Sequence, residues 1–170
     1  MEIYHVTAKS PEWLFKAYDY VRTDAFCFGQ SIPMEAEFSH DTPREELQAV
    51  VLVEDHKPVA GCRITFPTKE TGKIERVCVI REKQRGGYGR ILIEDAEKWI
   101  LKKGVTHIVI NSQDRAAGFY NKLGYVTNYD ISPSVYEKHP PKREEDESTE
   151  KEHEHEKGLG FTCVIVEKHF

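Results

Sequence analysis

Apolar and polar positions change period several times along the chain, and each change marks an element. Glu2 to Thr7 reads as a short strand. Ser10-Pro11 supplies a hydroxyl suited to an N-cap and a proline suited to the first helical position. Leu14, Ala17, Tyr18 and Val21 then line one helical face. Phe26 to Thr42 has no clear period and contains Gly29 and Pro33, which predicts an ordered loop or a broken second helix. Three strand-like runs follow: Glu46 to Val53, Val59 to Phe66 and Lys73 to Ile80. Asp55-His56-Lys57-Pro58 reads as a hairpin turn between the first two.

The period returns to helical over Arg90 to Lys103, where Leu92, Ala96, Trp99 and Ile100 form the buried face. Glu94, Glu97 and Lys98 are expected to point outward, and Gly104 to end the helix. Val105 to Asn111 reads as a buried strand, and Asp114 to Leu123 as a short helix capped by Gly124. Val126 to Ile131 and Phe161 to Glu167 complete the strands. This order predicts an α/β chain with a mixed central sheet and helices on both faces, as one domain over 1–170.

Charge changes the picture in one place. Glu137 to Lys157 has no aliphatic or aromatic residue and carries nine acids against five Lys and Arg, a net of −4. The whole chain is −5, so the remainder is nearly neutral. The segment 137–157 therefore reads as a mobile, charged insert that cannot bury enough surface to offset its ordering entropy. With no broad basic excess, nucleic acid is not an expected partner. No apolar run approaches the roughly 20 residues of a membrane helix, and no leader pattern is visible at Met1 to Lys9, so a soluble cytoplasmic protein is expected. Cys27, Cys62, Cys78 and Cys163 lack C-x-x-C spacing, which predicts reduced thiols rather than a metal or disulfide framework. His153-Glu154-His155 has metal-like spacing, but in a charged insert a solvated loop is the stronger expectation. A metal site is therefore not expected.

The richest chemistry lies where the strand Lys73 to Ile80 enters Gln84-Arg85-Gly86-Gly87-Tyr88-Gly89-Arg90 and then a helix. Such a turn leaves backbone N–H groups facing outward at a helix N-terminus, which suits a phosphate or pyrophosphate. The P-loop pattern G-x-x-x-x-G-K-S/T is absent, and Leu92 stands where a dinucleotide fingerprint needs its third glycine. Gln84-x-x-Gly87-x-Gly89 instead resembles the acyl-CoA signature Q/R-x-x-G-x-G/A of the GNAT superfamily of N-acetyltransferases. Downstream, Gln113-x-x-Ala116-x-x-Phe119-Tyr120-x-x-x-Gly124-Tyr125 is similar to that family's N-x-x-A-x-x-F/L-Y-x-x-x-G-F/Y, with Gln113 where Asn is usual. The run Arg22 to Pro33, ending near Glu37 and Asp41, resembles one bacterial branch of the superfamily. Together the matches touch most of residues 1–135.

The resemblance implies a GNAT-like, mostly antiparallel sheet and direct transfer of acetyl from acetyl-CoA to a primary amine. It implies that the pantetheine arm lies along the backbone of Val77, Cys78, Val79 and Ile80. The pyrophosphate would then sit on the amides of Arg85, Gly86, Gly87, Tyr88, Gly89 and Arg90, with Gln84 in the signature and Gln113 orienting pantetheine or the helix start. Tyr120 becomes the candidate acid for the departing thiolate. Glu75, two residues before Val77 and so on its face under strict alternation, is the candidate base; it reads equally well as a salt-bridged sheet carboxylate, and Glu37 and Glu54 are more distant options. Val77 and Val79 also fit a plain core role, and Arg90 a solvated helix position. The acceptor, a small-molecule or peptide amine, is not legible, and homodimerisation stays open. Two other classes remain: an acetyl-CoA-binding module without turnover, and, more remotely, a nucleotide-binding α/β domain.

Overall fold

The computed structural model describes residues 1–39, 41–137 and 162–170. Apart from Glu137, the charged insert lies outside the described residues, as does His153-Glu154-His155.

Two compact units are present. Met1–Thr65 with Ile74–Val105 holds β1 (Glu2–Val6), α1 (Glu12–Arg22), α2 (Met34–Phe38), β2 (Ala49–Glu54), β3 (Lys57–Thr65), most of β4 (Thr71–Val79) and α3 (Tyr88–Lys102). Phe66–Lys73 with Thr106–Phe170 holds the start of β4, β5 (His107–Gln113), α4 (Ala117–Lys122), β6 (Val126–Asn128) and β7 (Cys163–His169). The strands follow the order β1-β2-β3-β4-β5-β7-β6. The β1/β2, β2/β3, β5/β7 and β6/β7 pairs are antiparallel, and β4/β5 is parallel. This is the mixed sheet that the element order predicts, mostly antiparallel as the resemblance implies.

In the first unit, the α1 face Leu14, Ala17 and Tyr18 forms one apolar cluster with Val6 of β1 and with Ala49, Val51 and Val53 of β2. The spacing of the last three is the strand period, which places them on a single face. The β2–β3 connection turns on Asp55 at φ 50° and His56 at φ 63°. Two successive left-handed residues make the primed two-residue turn whose twist matches a hairpin. In the second unit, β5 and β7 pair without a break from His107↔His169 to Gln113↔Cys163.

Several expectations need correction. Ser10 does not cap α1: its Oγ accepts from the Thr7 amide at 2.9 Å, and Pro11 occupies the N-cap with no side-chain bond. Over Phe26 to Thr42 the second of the two expected forms, a broken helix, is the one present: α1 runs into a π-helical segment, Thr23–Phe28, before the five-residue α2. Residues 44–46 form a 3-10 turn, so β2 starts later than the apolar run suggests. Glu97, expected outside, is buried on α3 beside Ile93, Ala96 and Ile100, while Trp99 is half-buried and stacks on His5. No helix among the described residues is long and apolar enough to cross a membrane.

Candidate active site

The glycine turn is built by two different demands. A Cβ on Gly86 would lie 2.7 Å from the Tyr88 ring and 3.2 Å from the Lys83 carbonyl oxygen, so the ring can lie there only over a glycine. Gly87 sits at φ 85°, in the left-handed region, with open space around it. Arg85 also has positive φ, 66°. Backbone of alternating hand turns successive N–H groups toward one side and forms a concavity for an anion. Gly87 is the N-cap of α3 and offers no side-chain cap, so the amides of the first helical turn have no intrahelical acceptor. The turn thus stands at the positive end of a 15-residue helix, a geometry that suits an anion.

The side chains around it are mostly engaged. Gln84 Nε2 donates to the Val79 carbonyl at 3.3 Å and so ties the turn back to β4. Arg90 pairs with Glu94 one helical turn away at 2.8 Å, as an exposed helix pair does. The Tyr88 hydroxyl donates to Glu54. Arg85 is exposed. On β4, Cys78 is buried while Val77 and Val79 are half-buried. Arg76 has φ 53°. A left-handed, non-glycine residue interrupts the strand's alternation, so the two-residue spacing does not by itself put Glu75 and Val77 on one face.

Beneath this strand lies a chain of alternating charges. Glu75 Oε1 accepts from Arg63 Nε at 2.8 Å, and Arg63 Nη1 donates to Asp41 Oδ1 at 2.7 Å. Asp41 Oδ2 accepts from Arg22 Nη1 at 3.0 Å, and Arg22 Nε donates to Glu37 Oε1 at 2.9 Å. Arg22 Nη2 also reaches the Glu37 carbonyl, and Arg76 Nε lies 3.5 Å from Glu37 Oε1. Arg22 is 0% exposed and Glu37 4%. Burial works against the Arg22 charge, but Tyr18, Asp41 and Glu37 outweigh it and hold its pKa above the ordinary value. The three cations Arg22, Arg63 and Arg76 and the three acids Glu37, Asp41 and Glu75 thus neutralise one another, and Glu37 and Glu54 are both engaged. The sequence reading missed Arg22, Arg63 and Arg76 as members of this chain; the run from Arg22 to Asp41 was its one visible trace.

In the second unit, Gln113 ends β5, and its Oε1 accepts from Arg115 Nε at 2.9 Å. Tyr120 is 7% exposed on α4. Its ring meets Phe119 and Tyr125 edge-on, with centroids 5.0 and 6.2 Å away. Its carbonyl accepts from the amides of Leu123 and Tyr125, closing the helix where Gly124 takes φ 96°. Cys27, Cys62 and Cys78 are in no disulfide. Burial pushes the Cys78 thiol up to about 12 and raises that of Cys27, so neither is a thiolate nucleophile at neutral pH.

Comparison with known proteins places this geometry. The chain is 34% identical over 120 residues to the uncharacterized N-acetyltransferase YjcF of Bacillus subtilis (strain 168), covering 71% of this chain and 83% of that one. Its fold is similar to an acyl-CoA N-acyltransferase from Pseudomonas aeruginosa, with TM-score 0.70, 14% identity and 98% of each chain covered. It is also similar to the catalytic domain of the Tetrahymena GCN5 histone acetyltransferase in complex with coenzyme A, with TM-score 0.63, 12% identity, and 99% of this chain and 92% of that one covered. The family model for the acetyltransferase (GNAT) family matches residues 12–125, the stretch that carries both the glycine turn and Tyr120, and the chain belongs to that family of acyltransferases.

Proposed function

We propose that this chain transfers the acetyl group of acetyl-CoA directly to a primary amine, and that the glycine turn is its coenzyme seat. The observation that carries the reading is the uncapped N-terminus of α3 behind left-handed Gly87, an anion site with no competing side chain in its cap position. Membership of the family and the coenzyme A bound to the GCN5 catalytic domain support the same ligand. In this reading the pyrophosphate takes the amides of 85–90, and the pantetheine arm pairs with the backbone of Val77 to Ile80. The reduced thiols of Cys27, Cys62 and Cys78 fit a reducing cytoplasm.

The reaction needs no covalent enzyme intermediate. The amine nitrogen bonds to the thioester carbonyl carbon, the carbon–sulfur bond breaks, and the thiolate takes a proton from Tyr120. The ammonium proton passes to Glu75, whose orientation Arg63 fixes. The test is release of the CoA thiol, followed with a thiol reagent, across polyamines, amino acids, aminoglycosides and peptides with free amino groups. Turnover with one of these classes is expected. Binding of acetyl-CoA with no thiol released from any of them would overturn the transferase reading and leave a binding module.

Two variants refine it. Gly89→Val places a branched side chain in the first turn of α3, where the anion must approach. Acetyl-CoA affinity measured by calorimetry is expected to fall at least about tenfold, the loss of one charge-assisted contact. Undiminished affinity in a folded variant would refute the seat. Glu75→Gln keeps a hydrogen-bond acceptor for Arg63 but takes no proton. It should cut kcat by about a hundredfold with little change in acetyl-CoA affinity. A variant that only melts earlier, with wild-type kcat, makes Glu75 a structural anchor instead.

A further inference from the structure

We propose that His107, Glu167 and His169 form a binding site for a first-row divalent transition-metal ion, with Zn²⁺ the best match to the donor set. The strand register brings the three together. His107 on β5 and His169 on β7 are direct cross-strand partners. Glu167 lies two residues from His169, hence on the same face of β7. Glu167 Oε1 is 3.4 Å from His107 Nε2 and 3.1 Å from His169 Nε2. Metal bonds of about 2.0–2.1 Å in tetrahedral geometry put neighbouring donors roughly 3.3–3.4 Å apart, so both separations are close to an edge of that tetrahedron. All the candidate ligand atoms lie within 4.8 Å of one another.

The supporting shell is built in the manner of a metal site. Thr71 Oγ1 lies 2.9 Å from His107 Nδ1, from the strand on the other side of β5. If that nitrogen carries the proton, Nε2 is left as a lone-pair donor. His107 Nε2 is buried and lacks a hydrogen-bond partner, although it points at Glu167. Asn128 Nδ2 holds the other Glu167 oxygen at 3.1 Å, which leaves Oε1 as the ligand. The two imidazoles now stack face to face with centroids 4.3 Å apart. His169 is exposed and can turn its nitrogen toward the ion.

Two imidazoles and one carboxylate suit Zn²⁺, Ni²⁺ or Cu²⁺ and not the oxygen-seeking Ca²⁺ or Mg²⁺. Three protein ligands leave a fourth position for water or an outside donor. This site owes nothing to the acetyl-transfer reading.

The test is a Zn²⁺ titration of the full chain against a chromophoric chelator. His139, His153 and His155 are first replaced by Asn so that the insert contributes no ligand. One equivalent of Zn²⁺ is expected to bind and to raise the melting temperature. His169→Asn and Glu167→Gln should each weaken binding about tenfold or more. His169 is exposed, so its variant reports binding even if His107→Asn fails to fold. The absence of Zn²⁺ binding in the parent, or unchanged affinity in both the His169 and Glu167 variants, would overturn the proposal.

Discussion

Replacing Arg22 by Met is expected to cost about 3 kcal/mol of stability, the lower end of the range for breaking a buried ion pair. Its guanidinium uses all three nitrogens, on Glu37 Oε1, the Glu37 carbonyl and Asp41 Oδ2. Methionine fills part of the volume but leaves two cations facing three acids. Arg63 still holds Asp41, and Arg76 remains near Glu37, so the loss does not reach the upper end. For a chain of this length, 3 kcal/mol corresponds to a fall in melting temperature of about 10 °C. Arg22→Lys should recover little of it, because an ammonium cannot span two carboxylates and a carbonyl from one planar fork. Urea denaturation followed by circular dichroism gives the number. A change below about 1 kcal/mol in Arg22→Met would mean that the charge chain does not hold this part of the fold.

That chain also shows which parts of the structure the residues disclose in order along the sequence. The hairpin turn was readable over Asp55 to Pro58 because polar residues and a proline separate two apolar runs, though Lys57 and Pro58 belong to β3. The turn around Gly87 was readable because only glycine takes its φ without strain. Arg22 is different: its partners lie 15 and 19 residues away, and local periodicity marks it only as a polar residue near the end of a helix. Glu97 was misread for a related reason, since a charged residue on a helix is solvated by default and only tertiary packing buries it. The left-handed backbone at Arg76 has no local signature at all. The His107–Glu167–His169 cluster is further out of reach: it needs the β5/β7 register, and 60 residues separate His107 from Glu167. Of the candidate site, the glycine turn proposed as the coenzyme seat is one contiguous segment, so its backbone form was legible. The charge chain beside Glu75 was not, because it is assembled from α1, α2, β3, β4 and the loop after α2.

Tyr120→Phe is expected to lower kcat up to about a hundredfold while leaving acetyl-CoA affinity nearly unchanged. The substitution keeps the ring, so the edge-on contacts with Phe119 and Tyr125 and the carbonyl that closes α4 are retained. What it removes is the phenolic proton. General-acid catalysis is typically worth about a hundred- to ten-thousandfold, and a thiolate leaves easily enough to put the loss at or below the lower end. An effect confined to kcat identifies an interaction made in the transition state and not in the bound ground state. The comparison needs an amine on which chemistry limits the rate, since a slow product release would hide the change. With such an acceptor, loss of kcat at constant melting temperature and constant coenzyme affinity places the proton on Tyr120. Wild-type kcat in the Phe variant would make Tyr120 a packing residue of α4, and the acceleration would then rest on holding amine and thioester together.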